Sequence, residues 1–547
     1  MARSTITDPI TGDNSREFRE NGHRTPEAWS MPAAADAKPI LREGETCWQL
    51  AHADRVSFIV DAADYFAAAK AAIASARSAV YLIGWDFDLH IRLTPDEDNP
   101  AFPDELRRFL AHTVERRPDL RIYILQWDGA MIANIVRQVI PFMLLRIGRG
   151  EQLRFRLDSE HPAGACHHQK ILVVDDAIAF CGGIDMTKGR WDTRAHRAGD
   201  KGRTAPDGTL CEPWHDMTMA VDGQAAKALG NLARDRWQLA TGEELPAPER
   251  PRPIWPERLP VSCRNTDVAI SRTMPAHADR DPANEIEHLW LEAIAAAQRS
   301  IYIENQYLAS NSITEALIER LKDRDGPEVV IVLPSSSESW LEQEVMDSAR
   351  ANNLARLREA DRHSSLGVYY PVNEIGEAIY VHAKLLIVDD RLVRIGSSNM
   401  SNRSMRFDSE CDLAIEAEAG DAAVMEAITG LRDSLVAEHF GMSQEGFAGQ
   451  LAIHRHSLVN AIEAIRARIP EPTLRPLPVE ELTDGEEALA HSDMLNPEKP
   501  AEHKKRASQF LGSLSERISQ TWARLGAALG ITPLATFLRS LARHSQR

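Results

Sequence analysis

The sequence predicts an α/β protein of two similar halves, each a mixed β-sheet flanked by helices, packed around one shared active-site pocket. Three observations carry that reading. A strand–helix–strand pattern occurs twice, a His-x-Lys-x4-Asp string occurs twice with matched downstream spacing, and a proline-rich joint separates the copies. Internal repetition is weighed first because it decides the architecture.

Taken in order, residues 1–45 are polar and proline-containing without sustained periodicity, and read as an arm. The first half spans 46–255. Its alanine-rich stretch 67–76 leads into Val80-Tyr81-Leu82-Ile83-Gly84-Trp85, and the strand Ile122-Tyr123-Ile124-Leu125 follows. The second half spans 256–469, where 291–298 leads into Ile301-Tyr302-Ile303-Glu304-Asn305-Gln306 and then Val329-Val330-Ile331-Val332-Leu333. Strand, helix, strand order implies parallel pairing within each half. The joint, Pro246 to Pro260, holds six prolines. Leu451, Leu458, Ile462 and Ile465 fall at near-helical spacing and predict a closing helix over 451–468. Residues 470–500 carry six prolines and eight acidic against two basic side chains, the composition of a linker. Residues 501–547 invert the charge, with eight Lys or Arg against two Glu. Phe510, Leu511, Leu514, Ile518, Trp522 and Leu525 recur there at helical intervals. A basic amphipathic segment suits an anionic membrane surface, and the same pattern fits a terminal helix packed on the body.

Composition narrows the function classes. The chain has 547 residues, 43% hydrophobic and 26% charged, which suits a globular protein with a sizeable core. Its net charge of −18 disfavours a nucleic-acid partner, which usually meets a basic footprint. Six scattered cysteines without a CxxC pair argue against a disulfide scaffold or a cysteine-rich zinc module. The most apolar run, Val139 to Leu145, has seven residues and contains Pro141, whereas a membrane span needs about 20. The N-terminus lacks the apolar core of a secretory signal. The expected location is therefore the cytoplasm or a membrane periphery, while a signal-independent secretion route would leave no readable mark.

The chemistry sits in the doubled string. The first copy is His168-Gln169-Lys170, four residues, Asp175, six residues, then Gly182-Gly183-Ile184-Asp185. The second is His382-Ala383-Lys384, four residues, Asp389, six residues, then Gly396-Ser397-Ser398-Asn399. Alternation along a strand lets each His and Lys address one ligand together. Small residues at 182–183 and 396–397 would let backbone approach a phosphate closely. Two lysines and two imidazoles converging on one pocket form a site for a phosphoryl group that calls for no metal or other cofactor. One His can attack phosphorus, and the other can protonate the leaving alcohol and then activate water or a second alcohol. Lys170, Lys384 and Asn399 would hold the non-bridging oxygens, with anionic Asp185 orienting those donors. Each imidazole needs a partner on its other nitrogen. Asp216 and Glu410 head the next apolar strands, 216–221 and 410–415, and are the candidates.

This doubled motif resembles that of the phospholipase D superfamily over roughly residues 56–440. Flanking strings extend the resemblance to the eukaryotic-type branch. They are Gly189-Arg190-Trp191-Asp192-Thr193, Pro213-Trp214-His215-Asp216 and Ile301-Tyr302-Ile303-Glu304-Asn305-Gln306-Tyr307. The resemblance implies hydrolysis of phosphatidylcholine-like glycerophospholipids to phosphatidic acid and a free head group, with transfer to alcohols as a side activity. It implies His168 as nucleophile and His382 as acid. It counts Asp175 and Asp389 with the catalytic motif as positions that hold structure rather than react. The expected partner is a phospholipid bilayer or micelle, with peripheral contact through 501–547 and no nucleic acid. One chain suffices to complete the site. A cardiolipin synthase-type phosphatidyltransferase would use the same residues with a lipid alcohol in place of water, and a nuclease would act on other phosphodiesters. A non-catalytic lipid-binding protein would be expected to lose a motif residue, and none is missing.

Smaller signals carry less. Adjacent His167 and His168 face opposite sides of a strand and do not suggest a shared metal. His196 and His215 read as surface residues or as the mouth of the pocket. Trp85, Trp127, Trp191 and Trp214 fall near strand ends, where they suit lipid, a choline cation or the core. The apolar run from Ile132 to Met143 fits a core helix or an acyl-chain contact.

Overall fold

The computed structural model describes residues 38–97, 102–129, 151–249, 252–336, 346–478 and 496. The basic segment 501–547, most of the linker and arm, and the apolar run 132–143 lie outside the described residues.

The first half contributes strands β1 (Gln49–Val60), β2 (Ala79–Gly84), β3 (Arg121–Trp127), β4 (Leu153–Asp158), β5 (Ile171–Val174), β6 (Ile178–Gly182), β7 (Trp214–His215) and β8 (Met217–Asp222). The second contributes β9 (Cys263–Met274), β10 (Ala283–Asn284), β11 (Ser300–Glu304), β12 (Glu328–Val332), β13 (Leu366–Pro371), β14 (Tyr380–Val381), β15 (Leu385–Val388), β16 (Leu392–Gly396), β17 (Glu410–Glu416) and β18 (Leu474–Pro476). The expected parallel pairs form, β2 with β3 and β11 with β12. Each half then runs in one order. β1-β8-β6-β5-β2-β3-β4 answers β9-β17-β16-β15-β11-β12-β13.

The halves do not hold two separate sheets. β1 pairs antiparallel with β9, from Gln49↔Ile270 to Val56↔Cys263, and makes one sixteen-stranded sheet of the described residues. The short strands β7 and β14 pair in parallel elsewhere, Tyr380 opposite Trp214 and Val381 opposite His215.

Alternation along the central strands sorts side chains into three cores. Ile171 and Val173 join a cluster that also takes Leu385 and Ile387 from the second half. Leu172 and Val174 point the other way, into the core beneath helices Ala62–Ser75 and Leu106–Glu115. Leu386 and Val388 likewise face helices Glu285–Ala296 and Asn311–Lys322. Burial on both faces explains why these strands read as unbroken apolar runs. Each fully buried Leu, Ile or Val contributes about 1.5–3 kcal/mol.

Three boundaries differ from expectation. Ile40, Leu41 and Cys47 are buried in the second half's outer core, so the polar arm ends sooner than residue 45. Glu416 anchors this stretch by accepting from the Ile40 and Leu41 amides at 2.8 and 2.9 Å. The closing helix is two helices, Gln444–Ile453 and Leu458–Arg466. Arg455 and His456 adopt left-handed φ values of 54° and 62° between them, and the Ser457 hydroxyl caps the restart by accepting from the Asn460 amide at 3.2 Å. The start of the acidic linker is not free either, because Leu474–Pro476 adds edge strand β18 to β13.

Candidate active site

Both motif histidines stand just ahead of a central strand, His168 and Lys170 before β5, His382 and Lys384 before β15. Each is fastened to the other half. The His168 amide donates to the Ser409 carbonyl at 2.9 Å, and the His382 amide to the His215 carbonyl at 2.7 Å. In each case the next residue along the partner strand is an orienting carboxylate.

The carboxylates cross over. Asp216, of the first half, lies 2.7 Å from His382 Nδ1. Glu410, of the second, lies 3.0 Å from His168 Nδ1, which also meets the Ser397 carbonyl at 3.0 Å. A carbonyl and a carboxylate only accept, so Nδ1 of His168 carries the proton and Nε2 keeps its lone pair. Ser404 donates to the second oxygen of Glu410 at 2.8 Å, and the Ser397 hydroxyl donates to the first. Burial lowers the proton affinity of both imidazoles well below the ordinary value, and the nearby lysines lower it further. Burial also raises Glu410 and pushes Asp216 up to about 7.

The lysines are not equivalent. Lys170 forms an ion pair with Asp185 at 2.9 Å. Lys384 meets the Gln306 side-chain oxygen at 3.2 Å and the His382 carbonyl. Asn399 replaces the aspartate in the second copy, and its buried side-chain oxygen makes no hydrogen bond. Burial, with Lys170 nearby, pulls Lys384 down to about 7. An anion entering this pocket meets one lysine already ion-paired to a carboxylate and one hydrogen-bonded to neutral oxygens.

Asp175 and Asp389 take no part in this convergence. Asp175 accepts from the amides of Arg77, Ser78 and Ala79 at 2.7–2.8 Å, closing the turn before β2. Asp389 does the same for Gln298, Arg299 and Ser300 at 2.7–2.9 Å before β11. Both sit at left-handed φ, 54° and 55°, a conformation aspartate tolerates better than most residues.

The small residues after each motif serve a different purpose from the one expected. A Cβ on Gly183 would fall 2.1 Å from Asp216 Oδ1, and one on Gly396 would fall 2.0 Å from Asp412 Oδ1. These glycines make room for the protein's own carboxylates.

Other expectations are corrected. His196 and His215 are neither at the surface nor at the mouth, being 2% and 0% exposed. His167 faces away from His168, between Ser409 Oγ at 2.7 Å and Asp158 at 3.1 Å. Trp214 is buried against Tyr380, ring centroids 4.6 Å apart, and lies 5.0 Å from the His382 ring. The Arg190 guanidinium covers its face at 3.8 Å. Trp191 belongs to the first half's outer core, and Trp85 and Trp127 stack on each other at 5.8 Å. Sequence reasoning gave no role to Gln306 and Ser404, and read Ser397 only as a small residue and not as a hydrogen-bond donor to Glu410. Gln306 lies within a string already singled out, but a lone glutamine gives no signal of a lysine partner.

Two family models match the chain. A family model described as phospholipase D matches residues 150–249, and one described as cardiolipin synthase, PLD-like domain, matches 290–429. The chain is 25% identical over 439 residues to phospholipase D A of Dictyostelium discoideum, covering 66% of this chain and 32% of that one. It is 23% identical over 480 residues to phospholipase D2 of Bos taurus, covering 68% and 50%. It is 24% identical over 524 residues to phospholipase D beta 2 of Arabidopsis thaliana, covering 69% and 56%. The matched segment is thus between about a third and just over half of these relatives' length. Among solved structures, a phosphatidylserine synthase from Haemophilus influenzae Rd KW20 aligns with a TM-score of 0.48 at 14% identity, over 77% of this chain and 96% of that one.

Proposed function

The chain belongs to the phospholipase D superfamily, and from that premise we propose that it cleaves the head-group phosphodiester of glycerophospholipids through a phosphohistidine intermediate. The observation that carries this reading is the crossed pair of imidazole–carboxylate contacts around two buried lysines.

In the first displacement His168 Nε2 forms a bond to phosphorus as the bond to the head-group oxygen breaks. His382 Nε2–H gives its proton to that oxygen. The bound phosphodiester's negative charge raises the proton affinity of His382, so this proton is taken up with the substrate. Lys170 and Lys384 face the non-bridging oxygens, where charge grows. Glu410 and Asp216 hold the two rings and stabilise the imidazolium that each step creates. In the second displacement His382 accepts a proton from water, the water oxygen bonds to phosphorus, and the bond to His168 breaks. Two inversions give retention. Asp175 and Asp389 hold the turns behind the site and touch neither phosphate nor water.

A phosphatidyltransferase reading uses the same steps with an alcohol in place of water. It is favoured by the cardiolipin synthase description of the model matching residues 290–429. Among the described residues no helix is long and apolar enough to cross a membrane. The basic segment 501–547 is the proposed contact with anionic lipid.

The test is head-group release from phosphatidylcholine vesicles, with and without ethanol, for the unaltered protein and His168→Ala. Choline release with phosphatidylethanol formation, both lost in the variant, supports the reading. Release that survives His168→Ala overturns the mechanism. Silence on phosphatidylcholine but turnover of phosphatidylglycerol moves the reading to phosphatidyl transfer.

A further inference from the structure

Behind the candidate active site lies a second polar cluster that the mechanism does not use. Asp61 heads the helix Ala62–Ser75, His196 lies in the loop before β7, His215 lies in β7, and Glu438 comes from the helix Ala422–His439 of the second half. The sequence reading named no metal ligands. The fold brings these four together.

Asp61, His196 and His215 are at most 2% exposed, and the Glu438 side chain is 6% exposed. Asp61 Oδ2, His196 Nε2, His215 Nδ1 and Glu438 Oε1 are buried atoms that make no hydrogen bond, although they face one another. His196 Nε2 lies 3.4 Å from Asp61 Oδ2 and 3.4 Å from Glu438 Oε1. His215 Nδ1 lies 3.5 Å from Glu438 Oε1, and 3.1 Å from Asp61 Oδ1, the oxygen that also accepts from the Asp216 amide. A tetrahedral ion with bonds of about 2.0–2.1 Å places its ligands roughly 3.3 Å apart.

The outer nitrogens settle which atoms face the centre. His196 Nδ1 meets Asp192 at 3.0 Å, and His215 Nε2 meets Glu304 at 2.8 Å. With an ion bound, each ring would donate outward to its carboxylate and turn a lone pair inward, the carboxylate–histidine–metal arrangement. Glu304 is itself saturated, taking His439 Nε2 at 2.9 Å and the Tyr302 hydroxyl at 2.6 Å. Charge agrees. Four buried carboxylates, Asp61, Asp192, Glu304 and Glu438, face two guanidinium groups, Arg203 on Asp192 and Arg194 on Glu438. Two charges remain, and a divalent cation held by neutral imidazoles balances them, as two protons on the same rings would in its place.

The geometry points to a buried site for one divalent transition-metal ion, with zinc the best fit to two imidazole and two carboxylate ligands, held by Asp61, His196, His215 and Glu438. Its place gives it a structural task. Asp61 exchanges backbone and side-chain hydrogen bonds with Asp216, and the His215 carbonyl holds the His382 amide. The ion ties both to a helix of the second half.

The experiment is elemental analysis of the full chain purified without metal-affinity resin, then stripped with chelator in mild denaturant, refolded and offered equimolar Zn2+, Ca2+ or Mg2+. About one zinc per chain is expected, absent after stripping and restored by Zn2+ alone, with a higher melting temperature. His196→Asn and Glu438→Gln should each lower retained zinc at least tenfold. Co2+ in place of zinc should give the visible absorption of a four-coordinate centre, which checks the ligand set without any variant. Zinc retained equally by both variants overturns the assignment. So does a chain that holds no zinc after reconstitution and melts independently of it, since protons would then balance the carboxylates.

Discussion

Asp216 and His382 are 166 residues apart in the chain and 2.7 Å apart in the fold. Glu410 reaches His168 across 242 residues in the opposite sense. Each half therefore supplies the other's motif imidazole with its orienting anion, and neither half alone holds a motif histidine together with its own carboxylate partner.

Removing either anion should act on chemistry more than on folding. Asp216→Asn and Glu410→Gln keep the shape but lose the charge that stabilises an imidazolium. Each should lower kcat about 10²–10⁴-fold, with circular dichroism unchanged. A loss below about threefold in steady-state choline release would show that the rings are held by backbone alone.

Gly183→Ala should resemble Asp216→Asn. The added methyl would meet Asp216 Oδ1 at 2.1 Å, so the carboxylate must leave His382. The expected result is a loss of kcat of similar size, and wild-type kcat would show that the strand shifts instead. Combined with Asp216→Asn, the two effects should not add.

Asp175 and Asp389 should report on stability. Each carboxylate satisfies three backbone amides, so Asp175→Ala or Asp389→Ala should cost about 2–4 kcal/mol in denaturant unfolding. Turnover per folded molecule should stay within about twofold. A full loss of turnover in protein of native stability would return these residues to the chemistry.

Anion binding should depend on pH through Lys384. Burial places this ammonium at about 7, so below pH 7 it is charged before the anion arrives. Above pH 7 a proton must be taken up on binding, and affinity falls by up to tenfold per unit. Sulfate, whose own charge is constant over pH 6–9, is the probe for calorimetry. Lys384→Met should bind more weakly and flatten the dependence, and an unaltered slope in that variant would assign the proton elsewhere.

The doubled motif was legible because chemistry constrains it at fixed spacing, and the central strands were legible because both faces are buried. The crossing was not. Asp216 and Glu410 stand at equivalent positions, and spacing along the chain says nothing about which imidazole each one meets. The purpose of Gly183 was hidden for the same reason, since its neighbour in space is a side chain from another strand. His196 and His215 read as surface residues because a histidine pattern carries no record of the carboxylates that bury it. The broken closing helix turned on two left-handed residues, Arg455 and His456, which composition does not mark.

The seam between β1 and β9 restricts how a bulky substrate can enter. Twelve-residue strands joined over seven residue pairs make a continuous seam that opposes a jaw-like opening of the two halves. The proposed lipid head group would then have to descend between loops. A nick within the prolines of 246–260 would leave each fragment with a long bare edge, and such edges seek partners. The two pieces would re-form the same ladder or, at higher concentration, build it with the wrong copies.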